Sequence, residues 1–399
     1  MFAQLERLPD DPILGLSALF RADQNPRKVD LTVGVYMDET GRTPIMRAVR
    51  DGERRYTDAQ ATKAYIGIAG DAGFIQEMER LTFGPDVLHV YGQRLRSVQT
   101  PGGCAALYAA GMLIRQTSPT GRIWVSDPTW SNHVPLFTAV GLEVLSYPYA
   151  RADQPSVPFD EMMAALSRAR PGDAVLLHGC CHNPTGIDLN FKQWSAVLDL
   201  VESRGLLPLV DLAYQGFGAG LEDDVVPVRA LVTRVPEALI TLSCSKNFGL
   251  YRDRVGMLCV LADSEQAAIA THSQVLKIAR CSYSMPPAHG AAVVQTVLST
   301  PDLKADWQQE LADMRDRITV MRHRLVEALD GRQVTGMGYL IAGNGMFSLL
   351  PLSKSQVQEL RQQYGIYVVD SGRINLCGLT DANIDYVADA LSLLWRVAS

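Results

Sequence analysis

The residues best suited to chemistry concentrate in Ser243–Gly256, which reads SCSKNFGLYRDRVG. The segment follows one apolar, β-branched run, Leu239–Leu242, and leads into a second that ends at Leu261. Lysine is ordinarily a solvated surface residue. Lys246 instead has Ser243 and Ser245 on one side and Arg252 and Arg254 on the other. A lysine kept dry and close to other cations has a lowered pKa and can act as a neutral amine. Such an amine condenses with an aldehyde to a Schiff base, while nearby hydroxyls and an arginine suit a phosphate. Together these capacities describe a pyridoxal phosphate lysine with part of its phosphate cup. A short basic surface loop is the alternative that this stretch alone leaves open.

Other candidates extend that reading. Asp211 ends the run LLPLVD, and a carboxylate at the end of a buried strand needs a partner. A pyridinium nitrogen is one such partner, and the pairing keeps the ring an electron sink; capping of the following segment is the other. Tyr214 and Asn183, the latter in HNPTG, can donate to a phenolate oxygen, although Asn-Pro also favours a turn by itself. Thr100–Cys104 (TPGGC) opens a helical stretch to about Gln116, and glycines at a helix start expose N–H groups to an anion. No Gly-Lys-Ser/Thr follows, so this is not a P-loop. Ser243 and Arg254 would complete the anion site. Trp130 suits either stacking on a ring or core packing. Arg280 and Arg373, in apolar surroundings, suit either a bound carboxylate or an internal salt bridge. His178, Cys180, Cys181 and His182 are not expected to hold a metal. Neighbours on an extended segment point to opposite faces, and no second ligand pair has zinc-like spacing.

Strands and helices must position these groups. Strand candidates are Arg96–Gln99, Ile123–Ser126, Val144–Tyr147, Ala174–His178, Leu207–Val210, Leu239–Leu242 and Met257–Leu261. Helical stretches lie between several of them, and Trp194, Val197, Leu198 and Val201 form one apolar face in Phe191–Gly205. The pattern predicts an α/β fold whose large domain carries a mostly parallel sheet covered by helices on both faces. Ligands bind beyond the carboxyl ends of such strands, and the polar clusters follow strand candidates. Val29–Tyr36 is also apolar and β-branched, residues 45–63 look helical, and Tyr65–Gly73 (YIGIAGDAG) reads as loop without the full dinucleotide spacing. Residues 1–30 read as an arm, broken by Pro9, Pro12 and Pro26, with one short helix, Ile13–Phe20. From Pro301, an apolar stripe runs through Leu303, Trp307, Leu311, Met314, Ile318, Met321 and Leu325. It predicts a long helix of the kind that connects domains. Val334–Ser399 then carries short strand patterns and a closing helix, a smaller α+β domain joined by part of the N-terminal segment.

The chain has 399 residues, 47% hydrophobic and 20% charged, enough for a large core and two domains. Its net charge of −6 favours no nucleic-acid partner. No apolar run reaches the length of a membrane span, and the N-terminus lacks a signal peptide's apolar core. The seven cysteines show no C-x-x-C pairing; reduced thiols and a cytoplasmic location are expected.

With these residues assembled, the chain resembles the class I, fold-type I aminotransferases of the aspartate/aromatic (tyrosine) aminotransferase family. Matching stretches include DPILGL, VGVYMDETGRTPIM, TKAYIGIAG, SDPTWSNH, GCCHNPTG, DLAYQGF, SCSKNFGLYRDRVG, YSMPPAHG, GMFSLL and GRINLCGL. The resemblance implies a seven-stranded sheet in a large cofactor-binding domain, 45–312. It assigns 1–44 and 313–399 to an N-terminal arm and a small substrate-closing domain. It implies pyridoxal 5′-phosphate on Lys246, with Lys246 also shuttling the substrate proton. Asp211 would hold the pyridinium, Asn183 and Tyr214 the phenolate oxygen, and Gly103, Cys104, Ser243 and Arg254 the phosphate. Trp130 and Gly34 would flank the substrate, whose α-carboxylate Arg373 would bind. Tyr65 and Arg280 would reach the neighbouring subunit's cofactor phosphate and distal substrate carboxylate, which requires a homodimer with shared sites.

Cys104 stands where the family usually has Thr or Ser, and a thiol is the weaker hydrogen-bond group. Met37, Ala64 and Met285 replace common polar residues and make the substrate surroundings less polar. The implied reaction is transamination between aromatic and/or dicarboxylic L-amino acids and 2-oxoglutarate or oxaloacetate. A strict aspartate aminotransferase and a decarboxylase or lyase on the same fold are the rival readings. A cofactor-binding regulator would need an added DNA-binding domain, which is not expected here.

Overall fold

Residues 2–7, 12–118, 120–151 and 156–396 are described by the computed structural model. Pro9 and the Asp11 that opens DPILGL lie outside them. In chain order the strands are β1 (Val29–Asp30), β2 (Leu95–Pro101), β3 (Arg122–Asp127), β4 (Glu143–Pro148), β5 (Ala174–His178), β6 (Leu207–Leu212), β7 (Ala238–Ser243), β8 (Val255–Leu261), β9 (Phe347–Leu349), β10 (Ile366–Tyr367) and β11 (Arg373–Asn375). The apolar candidate runs all enter one seven-stranded sheet, ordered β2-β8-β7-β6-β5-β3-β4. Neighbours from β7 to β4 pair in parallel, whereas β8 is antiparallel to both β2 and β7. Helices separate most of the parallel strands, as crossovers require. Between β7 and β8 there is only a loop, which can join antiparallel neighbours, and that loop carries Lys246.

Local rules explain the covering helices. Phe191–Arg204 opens with a capping box between Asn190 and Gln193 and ends at Gly205 in the left-handed region, φ 62°. Its buried residues are the expected Trp194, Val197, Leu198 and Val201. The long helix spans Pro301–Asp330 and buries the whole predicted stripe. It passes unbroken through residues 312 and 313.

The smaller α+β part pairs β9 with β11 antiparallel, and β1 with β10 parallel. It closes with helix Ile384–Arg396. One apolar run is a strand only in part, and one expectation needs correction. Only Val29–Asp30 of the Val29–Tyr36 run forms a strand. Leu31 still bonds through its backbone to Tyr367 and Asn375; beyond Leu31, side chains replace a ladder: Arg373 donates to Thr32 O, and Asn375 donates to Val33 O and Val35 O. The Tyr65–Gly73 stretch is not loop throughout, because Asp71 caps a helix that already includes Ala72 and Gly73. No helix among the described residues is long and apolar enough to cross a membrane.

Candidate active site

Because β5, β6 and β7 are neighbours, Asp211 is a register partner of both His178 and Thr241. Loops leaving these carboxyl ends enclose a cavity of about 720 Å³, its mouth included. Gly103, Cys104, Trp130, Asn183, Asp211, Tyr214, Ser243, Lys246 and Arg254, all candidates from the sequence, line it together with Leu107, Asn132, His178, Ala213 and Ser245.

The Lys246 amine lies 5.3 Å from the Tyr214 ring centroid. Burial pushes its pKa down to about 8; Arg254 and Arg373 act in the same direction and Asp211 opposes them. The reactive species is the free amine, so cofactor-free protein should form an adduct with a simple aldehyde about tenfold faster per pH unit up to about pH 8, then level off. A stopped-flow pH profile that keeps rising to the ordinary lysine range would place Lys246 in water instead.

Asp211 is held from behind. Its Oδ2 lies 3.2 Å from His133 Nε2, and Thr241 donates to Oδ1 at 3.3 Å. Burial raises the Asp211 carboxyl, but the His133 hydrogen bond and the fields of His133, His178 and Lys246 outweigh it and carry the pKa below the ordinary value. His133 Nδ1 in turn lies 2.8 Å from Thr129 Oγ1, which lies 3.1 Å from His178 Nε2. Burial, with help from His133, drives His178 down to about 3, so it is neutral at ordinary pH. His133 and Thr129 were not singled out from the sequence. They belong to SDPTWSNH, but no spacing rule links His133 to a carboxylate 78 residues away.

One end of the cavity suits an anion. Helix Gly102–Thr117 begins there without a side-chain cap, leaving its first N–H groups to an external acceptor. A Cβ on Gly102, whose φ is +80°, would lie 2.4 Å from Arg254 Nη2, and one on Gly103 would lie 3.1 Å from Ser243 Cβ. Only glycine lets the guanidinium and the serine approach so closely. Arg254 Nη1 donates to Ser245 Oγ at 3.3 Å. Cys104 Sγ accepts from Asn132 at 3.4 Å. Burial raises the Cys104 pKa, so Cys104 remains a thiol at neutral pH.

Arg373 is 5% exposed. It donates to Thr32 O at 2.6 Å and to Asn183 Oδ1 at 3.4 Å, while its Nε has no partner. Its guanidinium carbon lies 4.4 Å from the centroid of the Phe347 ring. Gly34 abuts the same ring, since a Cβ there would lie 3.2 Å from Phe347 Cζ. Among the described residues no carboxylate forms a salt bridge with Arg373. Tyr65 and Arg280 do not line the cavity of their own chain. Tyr65 is 93% exposed, and the exposed Arg280 donates to Ser284 Oγ at 2.5 Å. Cys180 and Cys181 approach Asp224, whose oxygens already accept four backbone N–H groups. His182 turns the other way and stacks on Tyr149 at 3.8 Å.

Comparison with known proteins matches residues 26–391 to the family described as aminotransferase class I and II. The chain belongs to that family. It is 49% identical to a tyrosine aminotransferase of Rhizobium meliloti (strain 1021), over 99% of this chain and 100% of that protein. It is 44% identical to an aspartate aminotransferase of Salmonella typhi, over 98% of this chain and 99% of that one. The solved structure of an aromatic-amino-acid aminotransferase from Burkholderia pseudomallei, covalently bound to pyridoxal phosphate, superposes with a TM-score of 0.95 at 42% identity. That match covers 99% of each chain. In this class I and II aminotransferase, the lysine loop, the strand-end carboxylate and the arginine without a carboxylate therefore meet within one fold.

Proposed function

We propose that the protein transfers amino groups between aromatic or dicarboxylic L-amino acids and 2-oxoglutarate or oxaloacetate, with pyridoxal 5′-phosphate as cofactor. The observation that carries this reading is the convergence of a lysine with a pKa near 8, a retained carboxylate and an uncapped helix start on one cavity. The residues present fit the cofactor: glycines that a Cβ would clash against form the anion cradle, and Asp211 offers the only carboxylate among the residues lining the cavity. Bound there, the cofactor supplies an electron sink that acidifies the substrate Cα proton. Lys246, as a free amine, would take that proton from Cα and deliver it to the cofactor's C4′, and would carry a proton the opposite way once the acceptor has bound. Asp211 holds positive charge at the ring nitrogen, and Asn183 and Tyr214 donate to the ring oxygen. Gly103, Cys104, Ser243 and Arg254 hold the phosphate. Arg373 binds the α-carboxylate beside Gly34 and Trp130, using the Nε that has no partner within the chain.

Tyr65 and Arg280 are assigned to the cavity of a second subunit in a homodimer. Their exposure and their absence from the lining of their own cavity support this. Residues 45–312 form the cofactor-binding unit of this reading, and 1–44 with 313–399 the unit that closes on substrate. Cytoplasmic location belongs to the same reading, supported by cysteines that are all free thiols.

Substrate choice turns on Arg280. Its planar fork suits a distal carboxylate, whereas an aromatic ring would rest against Met37, Ala64 and Met285. Met285 lies beside the Tyr65 loop, where its sulfur accepts Ile66 N–H at 3.1 Å. Burying a ring is worth about 1.5–3 kcal/mol, enough to offset a lost ion pair. A donor panel with 2-oxoglutarate tests this. Phenylalanine, tyrosine, aspartate and glutamate should all be used, and Arg280→Leu should cut dicarboxylate kcat/KM about a hundredfold while leaving phenylalanine nearly unchanged. Aspartate use alone, with phenylalanine slower by more than about a thousandfold, would leave a strict aspartate aminotransferase.

A further inference from the structure

Arg322 is 1% exposed and is the largest fully buried charged side chain. It pairs with no carboxylate among the described residues. Its Nη1 donates to Leu340 O at 2.6 Å and Ser348 Oγ at 2.8 Å. Its Nη2 donates to the carbonyls of Asn344, Gly345 and Phe347 at 3.0, 2.7 and 2.8 Å. Burial lowers its pKa to about 10, so it keeps its charge at neutral pH. A buried charge without a salt-bridge partner is costly, and here the compensation is four backbone carbonyls and the Ser348 hydroxyl of one short segment, with the field of Asp188 acting in the same direction.

That segment joins the two halves of the site. On its far side, Asn344 N donates to Gly186 O of HNPTG at 2.7 Å, and its side chain donates to Asp188 at 3.0 Å. Asp188 in turn accepts the backbone N–H groups of Cys181 and His182, next to Asn183. Two glycines make room for the guanidinium: a Cβ on Gly186 or Gly343 would lie 3.0 or 2.7 Å from its nitrogens. The segment ends in Phe347. Its ring lies under Arg373 at 4.4 Å, against Gly34, and edge-on to Tyr214 at 6.0 Å.

The geometry points to Arg322 as a positioning residue. By fixing the backbone from Asn344 to Phe347 it sets the Phe347 ring, and through that ring the Arg373 guanidinium that receives the substrate α-carboxylate. This rests on the function proposed above. The two Nη groups make all five contacts, and Nε has no partner; only a planar fork reaches acceptors spread this widely, whereas lysine offers three donors from a single point.

The test uses holoenzyme carrying Arg322→Lys. Every donor has an α-carboxylate, so KM should rise about tenfold or more for phenylalanine and aspartate alike. The dissociation constant of 3-phenylpropionate, titrated as an unreactive carboxylate, should rise with it. kcat should change less than KM. A residue that served stability alone would lower Tm and move none of these ratios. Should Arg322→Lys fail to fold, Phe347→Leu and the milder Ser348→Ala carry the same expectation. KM for both donors within twofold of wild type, in Arg322→Lys or else in both of the other variants, overturns the assignment. Wild-type protein that turns over no donor would overturn the proposed function instead, and the 3-phenylpropionate titration would still decide the role of Arg322.

Discussion

Replacing Lys246 with alanine should lower transamination by at least about ten-thousandfold, the upper range for a general acid–base group. The reason lies in its surroundings. Burial, with Arg254 and Arg373 against Asp211, brings the amine to a pKa near 8, so far more of it is free to take a proton at neutral pH than for an ordinary lysine. Lys246→Arg separates charge from proton transfer. It keeps the positive charge but cannot be deprotonated, and it should be as inactive as the alanine variant. The alanine change should cost little stability, because removing a partly desolvated cation from beside two arginines relieves repulsion. Borohydride treatment of the wild type should fix the cofactor to Lys246, and this adduct should be absent from both variants. More than about one per cent of wild-type kcat in Lys246→Ala would remove the lysine from the chemistry.

Asp211→Ala should lower kcat by about a hundred- to thousandfold, the usual range for one preorganised charge at a reacting centre. Asp211→Asn retains the shape and loses the charge, and should fare no better. A loss under tenfold would make Asp211 structural. The pH dependence has a definite sign. His133 holds the Asp211 pKa below its ordinary value against burial, so the carboxylate persists into acid and no acid-side loss of activity from Asp211 is expected near neutrality. In His133→Leu the hydrogen bond and the field of the histidine are lost, leaving only His178 and Lys246 to oppose burial. The Asp211 pKa must then rise, and an acid-side fall in kcat should move toward neutral pH. A profile unchanged by His133→Leu would show that the histidine does not govern the carboxylate.

Much of this site is legible along the chain because it is built from short stretches that leave strand ends. Lys246, Asp211, Asn183 and Gly103 each follow an apolar run, and period and composition locate such runs without a structure. Glycines before a helix, a lysine between strands and an aspartate closing a buried strand each carry their own physical reason. The long helix Pro301–Asp330 is equally legible, since its stripe keeps helical spacing from Leu303 to Leu325.

Other features depend on neighbours that no local pattern encodes. Strand direction is one. β8 runs against the rest of the sheet because a loop rather than a helix precedes it, and its all-apolar burial looks the same from either direction. The run Val29–Tyr36 has strand-like composition, yet after Asp30 its carbonyls are taken by Arg373 and Asn375, more than three hundred residues away. His133, Thr129, Arg322 and Phe347 act through other side chains or backbone, so their roles appear only once the chain has closed on itself. The sequence determined which reactive groups the strand ends offer and which strands carry them. The tertiary structure alone decided what stands behind those groups, because burial and long-range hydrogen bonds, rather than residue type, set the Asp211 charge and the Arg373 orientation.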